Sequence, residues 1–232
     1  MLAIIGAMDE EVSRLIDLMD VYELKEIAGM KFTCGNMSGT KTVVVRSGIG
    51  KVNAAVCTQI LASEFHVDSI INTGIAGSLD SDIDIGDIVL STDALQHDVD
   101  AVAFGYPKGQ IPRMDTLSFP ADKKLAEHAE KCCKAACPDI KVFKGRVVSG
   151  DQFIADKAVK DRISADFGGL CTEMEGAAIA QAAYLNNIPY IIIRAISDKA
   201  DDSASVDYPT FEKKAIENSV KLLSEMVRTM GR

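Results

Sequence analysis

Four charged side chains near the end of the chain stand beside small and apolar residues. Glu173 and Glu175 come just before an alanine-rich segment of helical character, and Arg194 and Asp198 follow an apolar run that begins at Tyr190. That run predicts a fully buried strand. Two explanations fit the charges. They are either helix-start carboxylates neutralised by an arginine, or part of an active site at the carboxyl ends of parallel strands.

A third carboxylate of interest is Glu11, which ends the acidic stretch Asp9–Glu11 at the start of the first predicted helix. Acidic residues are favoured in the first turn of any helix, so Glu11 alone is more typical of a solvated helix start than of a catalytic group. In the same way, Asp198 alone fits a helix cap and Glu173 fits a structural partner of Arg194. Only the joint occurrence of these groups favours a site.

Several predicted strands end in small-residue turns. Glycine lets the backbone bend sharply and lets a ligand approach the main chain, although most such turns are purely structural. These turns are "SGIGK" at 47–51, "NTGIAG" at 72–77 and "SGDQF" at 149–153. "SGIGK" is not a phosphate-binding P-loop, because it lacks the first glycine at the required spacing and the Ser/Thr after the lysine.

The elements that must position these residues alternate between apolar β-rich runs and helical patterns. This rhythm predicts an α/β fold with a central mixed or largely parallel sheet flanked by helices, in a single domain spanning residues 1–232. A long last helix is expected from about Tyr208 onward. The stretch Asp98–Pro120 has little periodicity and predicts a long loop, either functional or merely connecting. Strands are expected in "LAIIG", "KTVVVRSG", "DSIINTG", "GDIVLSTDAL", "VFKGRVVSG" and "YIIIRAIS", and helices in "DEEVSRLIDLMD" and "KVNAAVCTQILASEF".

Composition restricts the kind of ligand and the cell compartment. The 232 residues are 47% hydrophobic and carry a formal charge of −9, which argues against a nucleic-acid binder and favours a small ligand. The start has no signal-peptide pattern and no apolar stretch is long enough to span a membrane, so a cytoplasmic protein is expected. The six cysteines are expected to be free thiols. A metal site in "HAEKCCKAAC" is disfavoured because the spacing completes no set of four ligands.

The motifs taken together resemble one family. "GAMDEE", "SGIGK", "NTGIAG", "HDVDAVAFGY", "VSGDQF", "EMEGAAIA" and "RAISD" occur in order between residues 6 and 198. Their order and intervals are similar to those of 5′-methylthioadenosine/S-adenosylhomocysteine nucleosidases, in the nucleoside phosphorylase superfamily. "EMEGAA" and "RAISD" mark the superfamily, while "GAMDEE" indicates its hydrolytic branch. The resemblance implies a nucleoside phosphorylase-like fold.

The resemblance also implies an activity and roles for individual residues. It implies hydrolysis of the N-glycosidic bond of 5′-methylthioadenosine, S-adenosylhomocysteine and 5′-deoxyadenosine, with no metal or organic cofactor. Asp198 would protonate N7 so that adenine leaves neutral, and Ser197 would steady it. Glu175 would stabilise the oxocarbenium-like ribose, Met174 would pack on the sugar, and Glu11 would activate the water. An acid in the role of Asp198 must hold its proton near neutral pH, which requires partial desolvation.

The remaining binding residues implied by the resemblance surround the base and the 5′-thio tail. Phe153 would stack on adenine, Ile154 would offer backbone groups to its edge, and Arg194 would pair with a carboxylate of the cluster that contains Glu173 and Glu175. The tail pocket would be apolar, and in a homodimer Phe104 would reach the partner's site. Ile75, Ala101 and Tyr208 depart from common family residues and leave tail selectivity open. The tail set is Met8, Ile49, Phe104, Pro112 and Tyr208.

Three alternatives stay open. A phosphorylase of the same superfamily would use phosphate in place of water, but Asp9, Glu10 and Glu11 would repel that anion. A hydrolase acting on futalosine-like nucleosides would differ in the tail it accepts. A nucleoside sensor without catalysis is disfavoured by the presence of Glu11, Glu175 and Asp198 together, and an assay for adenine release discriminates it from an enzyme.

Overall fold

A computed structural model describes residues 1–230 and contains ten strands and six α-helices. The strands are β1 (Leu2–Gly6), β2 (Asp20–Ile27), β3 (Met30–Met37), β4 (Thr40–Arg46), β5 (Ser69–Ser78), β6 (Ile88–Gln96), β7 (Phe119–Pro120), β8 (Val142–Ser149), β9 (Cys171–Glu173) and β10 (Tyr190–Asp198). The helices are α1 (Asp9–Ile16), α2 (Lys51–Glu64), α3 (Lys123–Ala136), α4 (Lys157–Phe167), α5 (Gly176–Leu185) and α6 (Ala204–Met230).

All strands belong to one mixed sheet, which confirms the predicted fold class. The path runs β10-β6-β8-β9-β5-β1-β4-β3-β2, with β7 paired to β6. Strands β4, β1, β5 and β10 are parallel neighbours. Because β10 pairs with both β5 and β6, the strands β5, β10, β6, β8 and β9 close on themselves. Parallel neighbours end at the same edge of a sheet, so their carboxyl ends lie together.

Continuous apolar runs explain the central strands. Every residue of β1 and of β10 is buried, as expected for strands covered on both faces. Helices α2 and α5 pack against each other, while α6 packs on β10, α3 and α1. The helices thus cover the sheet and leave its carboxyl edge as the place where polar side chains meet.

Three local features differ from the sequence interpretation. The hairpin of β2 and β3 was not expected, since β2 is the exposed edge of the sheet and lacks an apolar face. Helix α6 begins at Ala204, four positions before the expected Tyr208. The loop 98–120 holds a 3-10 turn at Val102–Phe104 and the short strand β7. Hydrophobic periodicity did not predict any of these three features, because their sequences are polar or contain proline.

The six cysteines are free and buried. Cys132 lies 3.7 Å from His128, measured between Sγ and Nε2. Within residues 1–230, no group of His, Cys, Asp and Glu side chains forms a candidate metal site. None of the helices in this range is long and apolar enough to cross a membrane.

Candidate active site

A cavity of about 590 Å³ opens at the carboxyl ends of the parallel strands. Most of the residues singled out from the sequence line it: Met8, Glu11, Ile49, Ile75, Phe153, Ile154, Glu173, Met174, Glu175, Ser197, Asp198 and Tyr208. Arg194 lies behind this wall, while Ala101, Phe104 and Pro112 of the loop 98–120 are not among its lining residues. Phe104 is instead 83% exposed.

Glu11 is held by backbone donors at the start of α1. Its Oε2 accepts hydrogen bonds from the amides of Ala7 (2.6 Å) and Met8 (3.1 Å), and its Oε1 accepts one from the amide of Ile75 (3.3 Å). Only 4% of the residue is exposed. Burial raises the pKa of Glu11, while the charge of Arg194 and the three amides oppose that rise. A solvated helix-start carboxylate would not be enclosed in this way.

Arg194 is the central cation of a buried polar cluster. Its Nη2 donates to Asn72 Oδ1 at 2.6 Å and to Glu173 Oε2, and it lies 3.9 Å from Glu175 Oε2. Glu173 also accepts a hydrogen bond from the hydroxyl of Ser149. A buried charge is tolerated only where it is paired, and here the carboxylates compensate the guanidinium. Arg194 therefore positions the carboxylates from behind the cavity.

The cluster has room only because position 74 lacks a side chain. A Cβ built on Gly74 would lie 2.0 Å from Arg194 Nη1 and 2.5 Å from Glu11 Oε1. Both distances are far inside van der Waals contact, and both atoms belong to rigidly paired groups. The glycine of "NTGIAG" thus makes space for the two charges.

Glu175 caps the amino end of α5 and is 5% exposed. Its Oε1 accepts a hydrogen bond from the amide of Gly50 at 2.8 Å. Burial, together with repulsion from Glu173, raises the pKa of Glu175 to about 7, against the opposing charge of Arg194. The group is therefore close to its protonation equilibrium at neutral pH, and a developing positive charge in the cavity would favour its ionised form.

A second hydrogen-bond network joins the turn at Gly50, whose amide donates to Glu175, to the loops that contain Asp98 and Asp151. The Lys51 ammonium donates to Asp98 Oδ1 at 2.6 Å and to Gln96 Oε1 at 2.9 Å. Asp151 accepts a hydrogen bond from the Lys51 amide at 2.8 Å, and its own amide donates to Asp98 Oδ2 at 3.0 Å. Lysine in "SGIGK" thus binds protein carboxylates and ties the glycine turn of Gly50 to the "SGDQF" loop.

Asp198 is the last residue of β10 and lines the cavity. Ser197 Oγ donates to Asp198 Oδ2 at 2.8 Å, and the amide of Ala200 donates to Oδ1 at 2.8 Å. Burial is the main cause that raises the pKa of Asp198, and these two hydrogen bonds oppose it. Because only 2% of the residue is exposed, the carboxyl group is shielded from bulk water although it lines the cavity. Such a carboxyl group is suited to general-acid catalysis.

The rest of the wall is apolar. The rings of Phe153 and Tyr208 meet edge to face with centroids 5.7 Å apart. Tyr208 Oη lies 3.4 Å from Met8 Sδ, so two residues distant in sequence form one side of the cavity. Ile154 is buried, whereas Phe153 and Ile49 are about half exposed. Flat aromatic and thioether groups of this kind suit a base and a thio-alkyl chain.

Six further lining residues were not singled out from the sequence: Ala7, Ala76, Gly77, Gln152, Thr172 and Ser205. Most are small, and four of them adjoin a predicted site residue in the chain. Gly77 is the clearest case, since a Cβ there would lie 2.7 Å from Asp198 Oδ1. The sequence signal for this part of the cavity wall was the pair of glycines in "NTGIAG".

The chain matches the family model described as phosphorylase superfamily over residues 1–228. A 5′-methylthioadenosine/S-adenosylhomocysteine nucleosidase of Chromohalobacter salexigens is 41% identical over 99% of this chain and 97% of its own. A crystal structure of the nucleosidase from Neisseria meningitidis, in complex with methylthio-immucillin-A, superposes with a TM-score of 0.94 at 38% identity and covers 98% of both chains. A futalosine hydrolase of Helicobacter pylori superposes with a TM-score of 0.92 at 32% identity, covering 97% of this chain and 96% of its own. The sequence-based resemblance is confirmed: the chain belongs to the phosphorylase superfamily and, within it, to the 5′-methylthioadenosine/S-adenosylhomocysteine nucleosidases.

Proposed function

We propose that this protein hydrolyses the N-glycosidic bond of 5′-methylthioadenosine and S-adenosylhomocysteine, releasing adenine and the 5′-thioribose. The observation that carries the proposal is the convergence of three buried carboxyl groups, on Glu11, Glu175 and Asp198, on one cavity that also has an apolar wall. Burial raises the pKa of each of them. Carboxyl groups in distinct environments can divide the roles of acid, electrostatic stabiliser and base.

The first step in this mechanism is departure of adenine. The protonated Asp198 donates its proton to N7 as the glycosidic bond stretches, so that the base leaves neutral. Ser197 holds the carboxyl group in place through its 2.8 Å hydrogen bond. Phe153 stacks on the base, and the backbone of Ile154 reads its edge.

The second step is capture of the ribosyl cation by water. Positive charge develops at the anomeric carbon, and the Glu175 carboxylate stabilises it more strongly than the neutral substrate. Glu11 accepts a proton from the attacking water as the C–O bond to the anomeric carbon forms, so the proton ends on Glu11. Arg194 keeps the carboxylates apart and in position.

Water rather than phosphate is the proposed nucleophile, and this can be tested directly. Glu11 and Glu175 both face the cavity, and a phosphate dianion beside them would meet like charge in a partly desolvated space. In phosphate-free buffer we expect adenine and free 5′-thioribose as products, identified by chromatography and mass spectrometry. Millimolar phosphate should leave the rate unchanged. Phosphate-dependent turnover, or a ribose 1-phosphate product, would assign the protein to the phosphorolytic alternative instead.

A homodimer in the cytoplasm is the proposed working form, with Phe104 completing the partner's tail pocket. Phe104 is 83% exposed and lies outside the cavity of its own chain. The packed pair α2 and α5 also presents apolar side chains to solvent, among them Val52 (74% exposed) and Leu185 (63% exposed). Exposed apolar surface on this scale favours burial between copies.

Phe104→Ala is expected to raise KM for a long 5′-alkylthio substrate about tenfold while kcat changes little, because it strips apolar contact from the tail alone. The KM for 5′-deoxyadenosine, which has no thio tail, should change less than twofold. Tyr22→Ala, which removes another exposed aromatic ring, serves as the control. A fully active monomer in sedimentation velocity would contradict the shared site.

Futalosine-like nucleosides are the second candidate substrates. The structural similarity to the Helicobacter pylori futalosine hydrolase motivates testing such a nucleoside in an assay that detects release of its own base. The apolar contacts of Met8, Ile49 and Tyr208 favour a thio-alkyl tail over a large polar one. The proposed function therefore remains cleavage of 5′-thioadenosines.

A further inference from the structure

Helix α2 begins without a capping side chain of its own. Its N-cap is Gly50, which has a backbone φ of 98° and no side-chain acceptor. The first amides of a helix lack partners within it, and here two carboxylates distant in sequence accept hydrogen bonds from them. The Gly50 amide donates to Glu175 Oε1 at 2.8 Å, and the Lys51 amide donates to Asp151 Oδ1 at 2.8 Å. The place of Glu175 therefore depends on where α2 begins.

Lys51, Asp98 and Asp151 form a closed ring of hydrogen bonds, which we call the Lys51 network. The Lys51 ammonium donates to Asp98 Oδ1 at 2.6 Å, the Asp151 amide donates to Asp98 Oδ2 at 3.0 Å, and the Lys51 amide closes the ring on Asp151. Each residue thus binds the other two. No member of such a ring can move without stretching two hydrogen bonds. The start of α2 is thereby fixed to the loops that contain Asp98 and Asp151.

The ion pair in the Lys51 network is largely shielded from solvent. The side chains of Lys51 and Asp98 are 17% and 21% exposed. Burial raises the pKa of Asp98, but the hydrogen bonds from Lys51 and the Asp151 amide outweigh it, so the pKa lies below its ordinary value. Asp98 is therefore an anion at neutral pH, and salt weakens its pairing with Lys51 less than it would weaken a surface pair.

A second connection runs from Lys51 to the helix that Glu175 caps. The same ammonium donates to Gln96 Oε1 at 2.9 Å, and Gln96 Nε2 donates to Gln181 Oε1 of α5 at 2.6 Å. Glu175 is the N-cap of α5 and accepts a hydrogen bond from the N-cap amide of α2. Both helices that hold Glu175 are therefore tied to Lys51, which is not among the residues that line the cavity.

We propose that Lys51 and Asp98 are positioning residues, which hold the amino end of α2 against Glu175 and so keep that carboxylate aimed into the cavity. Neither residue lines the cavity, so both act through Glu175. The inference rests on the proposed function, in which the Glu175 carboxylate stabilises the ribosyl cation. Preorganised charge stabilises a transition state only while it stays in place, and a displacement of about 1 Å can lower a rate about a hundredfold.

The Lys51 network also supports the loop that carries Phe153, because Asp151 lies two positions before that ring in the chain. A displaced Asp151 would move this loop as well. The two effects have different kinetic signatures. In the proposed mechanism Phe153 contacts the base of the bound substrate, so its displacement raises KM, whereas Glu175 acts on the transition state, so its displacement lowers kcat.

The test compares three variants of the Lys51 network with one matched control. Lys51→Met removes the cation, Asp98→Asn replaces two acceptor oxygens by one, and Lys51→Arg keeps a positive charge. The control is Lys108→Met, which breaks a Lys–Asp pair of 2.7 Å that ties the same loop 98–120 to α4 rather than to α2. For each variant, kcat and KM are measured by adenine release from 5′-methylthioadenosine, and folding is checked by thermal circular dichroism.

Lys51→Met is expected to lower kcat about thirtyfold while KM changes less than about threefold, because Glu175 is displaced more than the base-binding loop. Asp98→Asn should lower kcat about tenfold, since one oxygen cannot accept from both the Lys51 ammonium and the Asp151 amide in the ring. Lys51→Arg should stay within about threefold of wild type, because its guanidinium restores the ion pair. Lys108→Met should stay within about twofold, as for an exposed pair.

A double-mutant cycle repeats Lys51→Met in a Glu175→Gln background, in single turnovers with enzyme in excess. The glutamine carries no charge to position, so the added loss in the rate constant should shrink from about thirtyfold to less than about threefold. A network that served only the fold or Phe153 would lower the rate constant by the same factor in both backgrounds. If Lys51→Met is too unstable to assay, Asp98→Asn takes its place in the same cycle.

Equal losses in the two backgrounds would overturn the inference, and so would a Lys108→Met variant as impaired as Lys51→Met. A rise in KM with kcat unchanged would also overturn it, because the Lys51 network would then serve base binding through Phe153. A wild type that released no adenine from 5′-methylthioadenosine would instead overturn the proposed function itself. Wild-type turnover thus tests the reaction, and the comparison of backgrounds tests the positioning.

Discussion

Asp198→Asn should lower kcat for adenine release by about a thousandfold, while the affinity for the nucleoside changes less than about tenfold. The amide keeps the size of the side chain, its oxygen can still accept the hydrogen bond from the Ala200 amide, and its NH2 group can donate to Ser197 Oγ. It cannot transfer a proton to N7, and that transfer matters in the transition state rather than in the bound substrate. Turnover is measured by adenine release, and affinity by calorimetry on the inactive variant.

Asp202→Asn is the matched control, because Asp202 is an exposed acid on the segment that follows β10 and does not line the cavity. The pH profile gives an independent check. A raised pKa extends the protonated form of Asp198 to higher pH, so wild-type kcat should fall as pH rises through that pKa. The residual activity of Asp198→Asn should lack this limb. Turnover above about a tenth of wild type would remove Asp198 from the role of acid.

Glu11→Gln should reduce hydrolysis by about two to four orders of magnitude, in the range of a lost general base. The amide oxygen can still accept backbone hydrogen bonds like those that Glu11 accepts from Ala7 and Met8, so the start of α1 should persist by circular dichroism. What disappears is the acceptor for the proton of the attacking water. Phosphate should not restore turnover, since the remaining carboxylates still repel an anion.

Asp9→Asn provides the comparison for Glu11→Gln, since its side chain is 73% exposed and pairs with Arg46 at the surface. It should retain wild-type kcat, because it removes an acid of the same helical turn from outside the cavity. If Glu11→Gln retained activity to the same degree, Glu11 would be a structural helix-start residue and the base would have to be sought elsewhere. Comparing kcat of Asp9→Asn with that of Glu11→Gln therefore tests whether Glu11 is the base.

Local sequence patterns predicted the buried strands because burial on both faces imposes continuous apolar runs. The run at Tyr190 and the run at Leu2 are of this kind, and both form fully buried strands. The edge strand β2 escaped prediction for the opposite reason. Its residues Asp20–Ile27 are mostly exposed, so hydrogen bonding to β3 rather than an apolar pattern places it in the sheet.

Prediction of the site succeeded where a residue has a chemical signature and failed where it contributes only space or backbone. Carboxylates in the motifs stood out, and the cavity brings Glu11, Glu175 and Asp198 together. Ala76 and Thr172 line the same cavity without any such signature. The ion pair between Lys51 and Asp98 could not be predicted from the sequence either, because it depends on which loops the sheet brings side by side. Spatial contact between distant loops is not encoded in any short pattern.

Gly74 has a negative φ, so its own backbone conformation would tolerate a side chain. The obstacle is what stands beside it, since the place of its Cβ is taken by Arg194 and Glu11. Gly74 on β5, Arg194 on β10 and Glu11 on α1 are therefore coupled, because a side chain at position 74 is incompatible with the other two. A descendant of this chain can carry a side chain at position 74 only after both the Arg194 guanidinium and the Glu11 carboxylate have been lost or moved. The packing around Gly74 thus determines the order in which these positions can be substituted.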